Sequence, residues 1–481
     1  MRTIFKALSV SALALAAAGC KLTPNPTPLD KPGDVPTTFT SPVVDKNAPI
    51  WPAAEWWNNF SAPELPGLIN TAMKENLDLK VAIGRVLEAE GNNTVAFAAL
   101  LPTASGSLSA RKSGTNTFDS DAFSAGLTGN YVLDFFGANR ARLAQADENL
   151  RGARYTQVNT GLTIEQSVAS TYFTILQLRE RIAITRQNLD LSRRLLAISQ
   201  AKFAAGVSSN LDVMQEAATV ASQQSQLPGL IEQEREARYT LAVLLGLPPE
   251  NFDVKGQNLD GITAPTVQAG MPSDLLLRRP DIALAEANLY AAHANVDAAR
   301  AAYFPQIGLS AGVSFGSGVL GTIFDPSKLA WNVGASLAET IFDGGAINAR
   351  DQIARTQQDE QIATYRKTVF TAFQAVETAV GSASSIAEQQ AFIEEQTRAS
   401  VEAERISELQ YREGTIDITT LLNTQQSLFS AQISLVQTKL ARLQNSINLY
   451  VALGGGWDQK KSDGDYKPSL TVDWFPITGP Q

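Results

Sequence analysis

The side chains that most often carry nucleophilic, acid–base or metal chemistry are scarce here. The 481 residues include one cysteine, Cys20, and one histidine, His293. A lone cysteine cannot close an internal disulfide, and neither a zinc cluster nor a two-cysteine redox pair can be assembled around it. His293 lies in the alanine-rich run "NLYAAHANVDAARAA", where it reads as a packing or surface residue. Met73, Met214 and Met271 are far apart and define no soft-metal path. No glycine-rich phosphate loop is present, and no metal, cofactor or catalytic set is expected. Cys20 remains the one residue set up for chemistry, as a target of modification.

The surroundings of Cys20 fit that role. Arg2 and Lys6 form a positive start, Leu8 to Ala18 an apolar run, and Ala17-Ala18-Gly19 a small-residue approach to the cysteine. This is the anatomy of a secretory signal over residues 1–19. The triplet also resembles the bacterial lipobox, whose cysteine is acylated after cleavage. Ala17 stands where leucine is usual. An ordinary cleaved signal beside an incidental cysteine is the alternative. Two or more acyl chains on Cys20 would anchor the chain stably, and Lys21, in place of aspartate, suggests sorting to the outer membrane.

The formal charge is −9, and −11 once Arg2 and Lys6 are removed, which argues against a nucleic-acid partner. No stretch after the signal suits a transmembrane helix, so membrane spanning would require a closed β-barrel.

The chain is written twice. "KFAAGVSSNLDVM" matches "QYREGTIDITTLL", with Phe203 and Tyr411, and Gly206 and Gly414, each 208 positions apart. Asp78 and Asp281, and Pro102 and Pro305, are 203 apart. The second half therefore carries about five extra residues, and "GSGVLGTIFDPS" is the expected place. Each half reads as helix, hairpin, very long helix, tight turn, return helix. Residues from "PELPGLIN" to Pro102 read as helical. In "DAFSAGLTGNYVLDF" and "PQIGLSAGVSF", apolar and polar residues alternate strictly, which marks strands with one apolar face. Ala138 to Phe203 contains no proline and would form a helix roughly 100 Å long; Ala346 to Arg412 repeats it. Val168, Ile175, Ile182, Leu189, Leu196 and Phe203 recur every seven residues, a coiled-coil seam. Gly206 and Gly414 suit helix ends. Ser209 or Asn210, and Asp417, suit the next N-caps. Pro228-Gly229 is expected to break the first return helix.

Two strand pairs give four strands, too few to close a barrel, because single-chain outer-membrane barrels have at least about eight. Either the sheet is a soluble patch or several chains share one barrel. A periplasmic coiled-coil scaffold lipoprotein without a pore is the rival reading, although it has no use for repeated alternating strands.

"PSDLLLRRPDIALAEANLYAAHANVDAARAAYFPQIGLSAG" (272–312), "EWWNNF" (55–60), "LAVLLGLPPE" (241–250) and "SLFSAQISLVQTKLARLQNSINLYVALGGGW" (427–457) closely resemble TolC-like outer-membrane factors of the lipoprotein branch. The resemblance covers the mature chain in order. It implies an α+β membrane protein. It implies a homotrimer whose three copies share a 12-stranded β-barrel, four strands from each, continued by a long periplasmic α-helical coiled-coil barrel. It implies the exit duct of a tripartite efflux system, with a periplasmic adaptor and an inner-membrane efflux transporter as partners, seated in outer-membrane lipid. The corresponding divisions are 1–19, the signal peptide, and 20–63, an anchored extended segment. They continue with 64–250, the first repeat, 251–272, a linker in the equatorial belt, 273–456, the second repeat, and 457–481, a tail.

The resemblance also nominates sites. Gly206, Val207, Ser208, Gly414 and Thr415 mark the turns where an adaptor would dock. Arg412, Asp417, Thr419 and Asn423 fall where relatives pinch the tunnel. Thr419 and Asn423 replace the leucine and aspartate common there, so an acidic ring is absent. Arg412 and Asp417 are left to latch the turn or set selectivity, the alternative being solvent for Arg412 and helix capping for Asp417. The signature Arg278-Arg279-Pro280-Asp281 reads physically as a restarted helix. Arg279 is pushed from helical geometry by Pro280, Pro280 suits the first turn, and Asp281 suits its positive end. Trp56-Trp57 reads as packing.

Overall fold

The computed structural model describes Phe39 and residues 51–115, 118–265, 270 and 272–459. The signal segment, Cys20, Met271 and residues 460–481 lie outside the described residues. The elements run α1 (Leu65–Glu75), α2 (Leu77–Ala98), β1 (Thr103–Thr115), β2 (Phe118–Leu133), α3 (Ala138–Ala204) and α4 (Asn210–Leu244). They continue with α5 (Pro272–Leu275), α6 (Pro280–Ala301), β3 (Gln306–Ser317), β4 (Leu329–Ala338), α7 (Ala346–Glu413) and α8 (Ile418–Ala452). A short 3₁₀ turn, Trp56–Phe60, precedes them. Among the described residues no helix is long and apolar enough to cross a membrane.

The chain folds as two compact units that cut across the sequence repeat. One comprises Gly84–Arg154 with Leu284–Lys367; the other holds the rest of the described chain. The first contains one antiparallel sheet in the order β1-β2-β3-β4. Its register sets Leu108 opposite Ala125, Leu127 opposite Val313, and Val313 opposite Trp331. One face is therefore apolar and the other carries Ser124, Thr128, Ser310 and Asn332, as the alternation predicts. The extra residues of the second half lie where expected. Residues 318–328 separate β3 from β4, whereas only 116–117 separate β1 from β2. Asp134 and Asp343 start the two long helices, accepting from the amides of Asn139 and Arg140 and of Gly345 and Ile347.

The second unit is built around aromatic packing. Trp56 is fully buried and stacks on Tyr450 at 5.5 Å, with Phe60 against Phe173. Trp56 Nε1 donates to Glu165 Oε2 at 3.3 Å. Burial pushes the Glu165 carboxyl up to about 7, against the opposing pull of that bond.

Three sequence expectations fail for identifiable reasons. The helix expected to run unbroken to Pro102 is interrupted at Asn76, whose ψ is 132°. Its side chain accepts from Leu79 N at 3.0 Å and so caps α2, an alternative to the helix that asparagine offers readily. Pro228 does not break α4, which runs through it. Leu227 and Leu230, either side of the proline, pack on Leu178 and Ile182 of α3. Burial contributes about 1.5–3 kcal/mol for Leu230 and less for the partly buried Leu227, which offsets much of the roughly 3 kcal/mol cost of an internal proline. The heptad seam also drifts. Val168, Ile175, Ile182 and Leu189 are buried, but Leu196 is half-buried and Phe203 is 47% exposed. Ser192, Leu195 and Ser199 take over the inner face. A helix of 3.6 residues per turn rotates about 20° per heptad, so a strict seven-residue row leaves the contact face after several turns.

Candidate functional site

Two places in the second unit combine tight backbone geometry with polar contacts: the turns between long helices, and the ends where the return helices stop.

The turns are a matched pair. Gly206 and Gly414 have φ of +74° and +76°. Val207 N donates to Lys202 O and Thr415 N to Gln410 O, at 3.0 and 2.9 Å. Each is the six-to-one bond of a Schellman end with glycine in the left-handed position. Ser209 then caps α4 through a capping box with Asp212, and Asp417 caps α8 by accepting from Thr420 N at 2.8 Å. These amide contacts hold the Asp417 carboxyl below its usual range. Val207 is 72% exposed and Thr415 is exposed too, with its hydroxyl on Gln410 O. Ser208 donates to Ser199 O at 3.4 Å.

The turns are tied by contacts the sequence did not single out. Leu195, Tyr411, Ile418 and Leu421 form a buried cluster. Lys202 Nζ donates to Tyr411 O at 3.0 Å and lies 3.9 Å from the centre of its ring. The Tyr411 hydroxyl meets Ser199 Oγ at 3.3 Å. One lysine thus bridges the end of α3 to the end of α7 by a charged hydrogen bond and a cation–π contact. The available signal was the repeat pair Phe203 and Tyr411, in which only the tyrosine carries a hydroxyl. Arg412 pairs with Glu408 one turn back on α7, and Asp417 is engaged as a cap, so the two do not meet each other within the chain. Thr419 and Asn423 lie one turn apart on the exposed face of α8, opposite buried Leu421 and Gln425.

Below the α3–α4 turn sits an unusual carboxylate. Glu216 on α4 is fully buried, and neither oxygen completes a hydrogen bond. Burial pushes it up to about 7; the facing Ser192 hydroxyl of α3 only partly opposes this, and no charged group contributes. On α7, Glu404 is also raised, by burial and then by Glu408.

The signature residues form the second place, and the repeat explains them. Arg279 grips Asp281 with Nη2 to Oδ2 at 2.6 Å, and its Nη1 donates to Ala452 O at 2.7 Å. In the first half Asn76 holds the matching carbonyl, Leu244 O, at 2.8 Å. Gly246 and Gly454 end the return helices at φ of +69° and +90°. A Cβ on them would lie 2.3 Å from Glu75 O and 1.8 Å from Arg278 O. Each return helix is therefore stopped against the residue that launches the next helix of its own half. Pro280 opens α6 as expected, and Arg278 stacks over Trp51 at 4.5 Å. His293 contacts Gln358 at 3.0 Å, and among the described residues no group of acidic, histidine or cysteine side chains is arranged for a metal.

The model of the outer membrane efflux protein family matches residues 68–247 and 271–455. The chain is 37% identical to the pyoverdine export outer membrane protein OpmQ of Pseudomonas aeruginosa, over 95% of this chain and 98% of that protein. It is 30% identical to the toluene efflux pump outer membrane protein TtgC of Pseudomonas putida, over 96% and 98%. The crystal structure of the open state of the Neisseria gonorrhoeae MtrE outer membrane channel superposes with a TM-score of 0.80 at 28% identity, covering 89% of this chain and 96% of that one.

Proposed function

Because the chain belongs to the outer membrane efflux protein family, an outer-membrane efflux channel rather than an enzyme family, we propose that three copies close one 12-stranded barrel and continue it as a helical tunnel. The observation that carries this is the open sheet β1-β2-β3-β4. It is apolar on one face, and its edge strands β1 and β4 have no further partner among the described residues. Lipid does not tolerate open edges. Four strands per chain become a closed barrel when β1 of one copy pairs with β4 of the next. The long helices then gain partners over their whole length, which supports the duct over the poreless scaffold.

In this reading the paired turns at Gly206 and Gly414 receive the hairpins of a periplasmic adaptor. The exposed face of Thr419 and Asn423 lines the narrowest part of the tunnel. An inner-membrane transporter selects the cargo and the duct passes it on; the relatives' names span pyoverdine and toluene, cargoes of unlike chemistry. Acyl chains on Cys20 tether each chain to the outer membrane. Native mass measurement in mild detergent should give three chains, with acyl mass lost in Cys20→Ser while the trimer persists. A conducting monomer would refute the shared barrel, and unchanged acyl mass in the variant would refute the anchor.

A further inference from the structure

The charged residues of the four strands are Arg111 and Lys112 on β1 and Asp119 and Asp121 on β2. The register separates them. Lys112 lies opposite Asp121, and Asp119 opposite Gly114. These three therefore share the face of Leu108 and Phe123, where Lys112 reaches Asp119 at 3.7 Å. Arg111 has the other alternation and stands on the polar face, opposite Ala122. Among the described strand residues it is the one charged group on that face.

Its surroundings are small and already satisfied. Ser109 meets Ser124 at 2.7 Å, and Ser113 meets Ser120 at 3.1 Å, hydroxyl to hydroxyl across the strands on either side of it. Arg111 is exposed, and among the described residues it joins no ion pair. The nearest carboxylates outside the strands are held elsewhere. Asp134, just past β2, takes Arg140 at 3.2 Å and caps α3. Asp325, in the connection between β3 and β4, accepts from the amide and hydroxyl of Ser327 at 2.9 and 2.7 Å and is offset by Lys328.

We propose that Arg111 sets the charge preference of the duct: its three copies ring the barrel lumen and favour anionic solutes, carboxylates and phosphates above all, over cations. This rests on the outer-membrane duct reading, in which the apolar face meets lipid and the polar face lines the lumen. Twelve strands about 4.8 Å apart and tilted about 40° enclose a lumen of about 12 Å backbone radius. An arginine reaching inward brings its guanidinium to within about one Debye length of the axis, about 8–10 Å. Three unit charges there, screened over that length, favour a monovalent anion over a monovalent cation by about five- to tenfold. The guanidinium fork adds paired hydrogen bonds to carboxylate and phosphate oxygens, and rings of basic side chains suit anion pores.

The test is the reversal potential of the full chain in planar bilayers under a KCl gradient around 0.1 M. It is measured in wild type and in Lys202→Met, whose loosened turns leave the barrel as the limiting passage. Arg111→Gln should lower the chloride-to-potassium permeability ratio by about fivefold, and Arg111→Glu should lower it further. Arg111→Lys should keep the ratio. Lys112→Gln, the next residue but on the opposite face, should leave it unchanged. Salt of about 1 M, where the Debye length is about 3 Å, should erase the differences. Inositol hexakisphosphate, added as a multivalent anion on the hairpin side, should block wild type and Arg111→Lys more strongly than Arg111→Gln. Equal ratios and equal block in wild type and Arg111→Glu, or a shift in Lys112→Gln as large as in Arg111→Gln, would overturn the role of Arg111 and leave the duct. Absence of conductance from intact trimers would remove the duct, and the charge preference with it.

Discussion

Glu216→Gln is the perturbation whose size follows most directly from the structure. The Glu216 carboxyl, fully buried between α3 and α4, is raised from an ordinary 4.5 to about 7 by burial. That difference corresponds to about 3 kcal/mol per chain. For a raised carboxyl the packed state is favoured by the proton. The penalty is absent below about 4.5, grows as pH rises, and is complete above about 7. The α3–α4 hairpin should therefore be held more tightly at pH 5.5 than at pH 8. The assay is hydrogen exchange resolved by peptide over residues 210–227, corrected for intrinsic chemical rates, because Glu165 elsewhere in the unit titrates in the same range. Protection there should fall about thirtyfold between these pH values, because part of the penalty is already present at pH 5.5 and it grows by about 2 kcal/mol from there to pH 8. Glutamine keeps the shape without the charge, so the variant should show flat, high protection. A flat profile in the wild type, or the same slope in Glu216→Gln, would refute the reasoning.

Lys202→Met keeps the aliphatic stem but removes the charged bond to Tyr411 O and the cation–π contact. It should loosen the turns by about 1–2 kcal/mol, read as faster proteolysis near Gly206 and Gly414, whereas Tyr411→Phe should have a smaller effect. Gly454→Ala places a Cβ against Arg278 O and should lower the melting temperature or abolish assembly. Gly229→Ala, inside a helix with open space around it, should be neutral or stabilising by up to about 1 kcal/mol. Arg412→Ala with Asp417→Ala removes an ion pair and an N-cap, together about 1–2 kcal/mol. It should raise basal conductance relative to the control pair Arg193→Ala with Glu395→Ala; equal conductance would mean these residues do not hold the turn closed.

Local rules acting alone were readable. The glycines at 206 and 414, the capping residues Ser209 and Asp417, the restarted helix at Pro280 and the period-two strands follow from backbone preference. The register of the two halves follows from direct comparison. What could not be read depends on neighbours distant in sequence. Asn76 interrupts a helical pattern because Leu244 O waits for its amide. Pro228 is carried by leucines that pack on α3. The outward rotation of Leu196 and Phe203 is a cumulative property of a long helix. Lys202 gains its role only when Tyr411, 209 positions away, is brought beneath it. Arg279 was legible as a helix start, but its second hold, on Ala452 O, needs the other end of the repeat.

The central claim is a pore shared by several chains. Purified full-length protein in a planar lipid bilayer should insert as trimers and give discrete single-channel steps, with conductance raised by Lys202→Met. Protein that binds the bilayer as an intact trimer yet yields no discrete steps, in the wild type and in the loosened variant alike, would contradict the account.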